Sequence, residues 1–84
     1  MMERDWSPDD NDIKTVLEAH GLIPEGALFD DAVGIAKLYA DRIRQRLLEF
    51  PASVDKRKAL LAILEEGLMQ EGLIPNNQER LFKA

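Results

Sequence analysis

The tetrapeptide Gly-Leu-Ile-Pro stands twice in this 84-residue chain, at 21–24 and again at 72–75, each time behind a helix-like run. Glycine tolerates the left-handed conformation that closes a helix, the leucine after it can fold back on the last turn, and proline bars continuation. Two helices must therefore stop, at about residues 20 and 71. Few other features constrain the fold as much, because apolar residues spaced by three and four precede both stops.

The first helix is expected over about 8–20. Ser7 is placed to cap it, Pro8 suits its first position, and Asp9 and Asp10 favour its positive end. Ile13, Val16, Leu17 and His20 then share one face. A long helix is predicted over about 27–50, with Asp30 and Asp31 near its start and an apolar stripe of Phe29, Ala32, Ala36, Tyr39, Ile43, Leu47 and Phe50. Pro51-Ala52-Ser53 breaks it, and Ser53 is the candidate cap of a helix over about 54–71 whose stripe is Val54, Leu61, Leu64 and Leu68, flanked by Leu60 and Ile63. Asn76 and Asn77 can cap a short last helix over about 77–83.

So short a break predicts an antiparallel hairpin of 27–50 and 54–71. Pivoting at residue 52 sets Ile43 against Leu61, Ala40 against Leu64, Ala36 against Leu68 and Ala32 against Gly72, small residues facing large ones. Both Gly-Leu-Ile-Pro copies then reach one end of the hairpin, which Leu22, Ile23, Phe29, Leu73, Ile74 and Phe82 are expected to seal. The fold class is all-α, one helical domain over 1–84 with residues 1–6 flexible.

Size and composition narrow the function. A domain this small has a small core. No run approaches the ~20 apolar residues of a bilayer crossing, and the acidic first residues hold no signal-peptide apolar region. The absence of cysteine removes disulfides, thiolate metal sites and thiol nucleophiles, and fits a cytoplasmic location. His20 is the only imidazole and has no hydroxyl nucleophile near it in sequence; a helix C-terminus accounts for it. The acid pairs Asp9-Asp10, Asp30-Asp31 and Glu65-Glu66 point in different directions on a helix, so dipole complementation and a solvated face are the expected roles. No phosphate loop, serine elbow, calcium loop or zinc spacing occurs. Neither an enzyme, nor a cofactor, nor a metal site is expected.

Net charge is -5, yet the middle of the chain is basic. Arg42, Arg44, Arg46, Lys56, Arg57 and Lys58 wrap the expected hairpin turn. The arginines suit a helix C-terminus; Lys56, Arg57 and Lys58 oppose the dipole of the helix they begin, and such local conflict points to function. Leu28, Ile35, Leu38, Tyr39, Leu60, Ile63 and Met69 lie partly off the stripes and leave an apolar surplus. Together these predict a non-enzymatic protein-binding module, a regulator, inhibitor or adaptor. Its contacts are Leu38, Tyr39 and the six bases, and its partner is an acidic protein surface or a second copy in a homodimer. A nucleic-acid-binding regulator using the same tip is the alternative, disfavoured by the net charge and the lack of aromatic residues among the bases; a small subunit of a larger enzyme is the third reading.

Overall fold

The computed structural model describes residues 7–51, 53–75 and 81–82. Three helices follow in order, α1 (Asp10–Ala19), α2 (Gly26–Glu49) and α3 (Lys56–Gln70), and no strand occurs among the described residues. The expected flexibility of residues 1–6 lies outside the described residues. So does most of the expected helix at 77–83; its two described residues, Leu81 and Phe82, are not helical.

The helix starts differ from expectation in their caps. Asp9, not Ser7, is the N-cap of α1: its carboxylate accepts from the Asp12 N–H at 2.9 Å, and the Asp12 carboxylate accepts from the Asp9 N–H at 3.1 Å. This reciprocal box uses Asp where Glu is commoner. Ser7 instead accepts a hydrogen bond from Arg44 Nη1 at 2.9 Å. Ser53 is likewise displaced, because Asp55 caps α3 by accepting from the Lys58 N–H at 3.2 Å. A carboxylate satisfies the open N–H groups and also opposes the positive helix end, which a hydroxyl does not.

Both Gly-Leu-Ile-Pro copies close helices in the same way. Gly21 and Gly72 have φ of 77° and 81°. The N–H of Gly21 donates to Glu18 O and that of Leu22 to Leu17 O, both at 2.9 Å; Gly72 donates to Met69 O at 3.1 Å and Leu73 to Leu68 O at 2.9 Å. These are paired Schellman closures. Their isoleucines part company: Ile74 is buried, whereas Ile23 is exposed and does not join the expected seal.

Helices α2 and α3 form the largest interface, and α1 packs on both. Ala32, Ala36 and Ile43 of α2 and Leu61, Leu64 and Leu68 of α3 are buried, as the hairpin pairing requires, while Gly72 is exposed. The two helices are not equal partners. Four of the 24 residues of α2 are buried against nine of the 15 in α3, so α3 is the central rod. Leu60, Ile63 and Met69, expected to be surplus, are core residues. The continuous apolar run 59–64 is what a helix covered on several sides requires.

Candidate functional site

The polar side chains expected at the hairpin tip have separate destinations. Lys56 lies at the first position of α3, against that helix's dipole, but its Nζ donates to the carbonyls of Leu47 and Phe50, the latter at 2.9 Å. It thus closes the carbonyl end of α2, where a cation is favoured. Arg57 Nη2 reaches across to Asp12 Oδ1 of α1 at 2.7 Å. The expectation that these two bases lack a structural reason is corrected: the dipole of their own helix is outweighed by partners on its neighbours. Arg44 pairs with Asp41 one turn earlier and with Ser7. Arg46 and Lys58 are exposed.

Asp12 is nearly enclosed. Burial is the main cause that holds its carboxyl above the ordinary value of 3.8; the nearby Asp9 carboxylate adds to this, while the Asp9 N–H and Arg57 oppose it. Glu65 was expected on a solvated face and is fully buried. Its Oε2 lies 2.7 Å from His20 Nε2 and accepts from the Leu81 N–H at 3.1 Å; Oε1 accepts from the Phe82 N–H at 3.4 Å. An ionised Glu65 only accepts, and the tautomer that matches it presents the Nε2 N–H to Oε2. One carboxylate thereby joins the end of α1, the middle of α3 and the segment at Leu81. By sequence, the helix C-terminus alone accounts for His20; its partner, 45 residues away, left no local mark.

The apolar contact residues do come together. Leu38 is 71% exposed on α2. It borders an open groove of about 490 Å³ between α2 and the end of α3, lined by Gly34, Ile35 and Leu73, with Asp30, Asp31 and Glu71 at its rim. Asp30 and Asp31 lie beyond the first turn of α2, where the dipole effect has largely decayed, so complementing the helix end does not explain them. Tyr39 continues the groove with Arg42 and Gln70. A Cβ on Gly67 would come within 3.2 Å of the Tyr39 ring, and the single hydroxyl proton of Tyr39 is shared between Gln70 Oε1 at 3.2 Å and Glu71 Oε2 at 3.0 Å. Loss of hydration, then the Glu71 carboxylate, raises the phenol above its ordinary value. The Arg42 guanidinium sits 5.4 Å from the ring centre, a cation–π contact.

Among the described residues there is no cluster of three or more side chains suited to hold a metal ion, and no helix long and apolar enough to cross a membrane. Compared with protein-family models, curated proteins and solved structures, the chain matches none of them.

Proposed function

We propose that the chain is a small non-enzymatic protein-binding module, a regulator, inhibitor or adaptor of a cytoplasmic system, that docks through the α2 face around Leu38 and Tyr39. The observation that carries this reading is the exposure of Leu38 at the edge of an apolar groove, because a large side chain left 71% in water beside other apolar surface is where a partner removes most area from solvent. Basic residues act as a second, weaker contact for an acidic surface. Arg46 and Lys58 carry it, since Lys56 and Arg57 are committed to other helices, and Arg42 links it to the groove.

Two variants of the intact chain test the reading. A partner recovered at low salt and identified by mass spectrometry is expected to lose affinity to Leu38→Glu at any ionic strength, since the groove contact is apolar. The doubly reversed Arg46→Glu, Lys58→Glu chain loses the salt-sensitive part only. Binding that ignores both changes would discard the module as described. Steep, salt-dependent retention of duplex DNA or RNA by the unmodified chain would replace it with the nucleic-acid reading.

A further inference from the structure

Four residues of α2, Asp31, Ile35, Leu38 and Arg42, follow one another at steps of four, three and four. At about 100° per residue they occupy a sector of roughly 60°, some 120° round the helix from the buried stripe. Their mean step, about 3.7 residues, keeps close to the 3.6-residue turn of a straight helix, so the four stay on one line along it. The two central residues are apolar, and the two outer ones carry opposite charges about 16 Å apart. Asp31 is exposed, and no described side chain pairs with it.

Such a stripe complements itself in one orientation only. About a twofold axis between positions 36 and 37, Asp31 meets Arg42 of the second copy and Ile35 meets Leu38 of the second copy, with both contacts repeated across the axis. Parallel pairing in register would oppose like charges instead. Gly34, close to that axis, supplies an independent sign. It stands inside a helix, where alanine is favoured, and a Cβ there would meet nothing within 4 Å. Nothing in its own chain requires a glycine, in contrast to Gly67 beneath the Tyr39 ring. A missing side chain beside the axis lets two helix backbones approach closely. A basic peptide would suit the acidic rim of Asp30, Asp31 and Glu71, but Arg42 on the same stripe would repel it.

We propose that α2 pairs antiparallel with α2 of a second copy, through Ile35 and Leu38 flanked by two Asp31–Arg42 ion pairs. The proposal rests on the α2 face being a docking surface and names its occupant. Sedimentation of the full chain over a dilution series is expected to show a dimer that dissociates on dilution. Asp31→Arg or Arg42→Asp alone places like charges opposite each other twice per dimer and weakens self-association at least about tenfold. An equimolar mixture of the two variants restores opposite charges at both contacts and re-forms the dimer, as does the doubly swapped chain. Gly34→Ala is expected to raise the melting temperature of the dilute monomer while weakening the dimer several-fold. Circular dichroism verifies that each variant folds. A monomer at every concentration up to about 1 mM, where even weak pairing registers, overturns the proposal, and so does a dimer that ignores either reversal or is not rescued by mixing. Because Lys58 lies on α3 and not on this stripe, Lys58→Glu judges the broader docking reading separately.

Discussion

Asp12 shows how one side chain can be set against itself. It must accept the Asp9 N–H to start α1 and must meet Arg57 to tie α1 to α3, yet both tasks are performed out of water. Burial prevails, so the folded chain holds the Asp12 proton more tightly than the unfolded chain does. The sign follows from linkage: this contribution to stability is complete below 3.8 and is lost as pH rises through the higher folded value. Asp12→Asn stays neutral and retains an oxygen to accept the Asp9 N–H. The stability of the native chain relative to Asp12→Asn is therefore expected to decline with rising pH across that window, as urea denaturation of both chains from about pH 3.5 to 6.5 will show, with groups common to the two cancelling. A relative stability that rose over the same range would reverse the assignment. The sequence marks Asp12 as one acid among several at a helix start; that it is enclosed depends on Arg57, 45 positions later, arriving across the α1–α3 contact, which no local pattern encodes.

At the scale of the element, helix ends were more legible than helix starts. A glycine with φ near 80° followed by Leu-Ile-Pro leaves the backbone little alternative, and both copies close as their sequence requires. At starts several residues compete, and Asp9 and Asp55 prevailed over Ser7 and Ser53, each two positions away. Because a Cβ on Gly21 or Gly72 would meet nothing within 4 Å, alanine at either site costs only the left-handed backbone, about 1 kcal/mol each, and the two losses should add in chemical denaturation. Lys56 is the opposite case, a residue wrong for its own helix and right for the neighbouring one. Lys56→Met keeps the aliphatic stem but leaves the carbonyls of Leu47 and Phe50 without their cation, for an expected loss of about 1 kcal/mol that high salt reduces. No loss, or a gain, would mean that the dipole of α3 governs that site after all.

For the molecule as a whole, periodicity revealed the hairpin but not which helix is central. The clean stripe of α2 reads as a helix with one covered face, and Leu60, Ile63 and Met69 of α3 as surplus until α1 is seen to pack on that helix as well. That enclosure is what turns Glu65 from a solvated acid into the junction of three segments. Its removal should therefore act at two levels. Glu65→Ala leaves His20 and the amides of Leu81 and Phe82 without an acceptor in the interior, on the order of 3 kcal/mol, a large share of what so small a domain possesses. Glu65→Gln, which keeps one accepting oxygen, should lose less. Amide hydrogen exchange distinguishes a local attachment from general weakening. In the native chain the Leu81 and Phe82 amides are expected to exchange more slowly than in free chain, by local release, and those of Leu64 and Leu68 only with global unfolding. In Glu65→Ala the first pair should exchange at free-chain rates, while the second pair slows or quickens only with the measured global stability. If all four amides instead shifted by one common factor, Glu65 would be a core contact like any leucine, and the attachment of the Leu81 segment would have to rest on Phe82 packing alone.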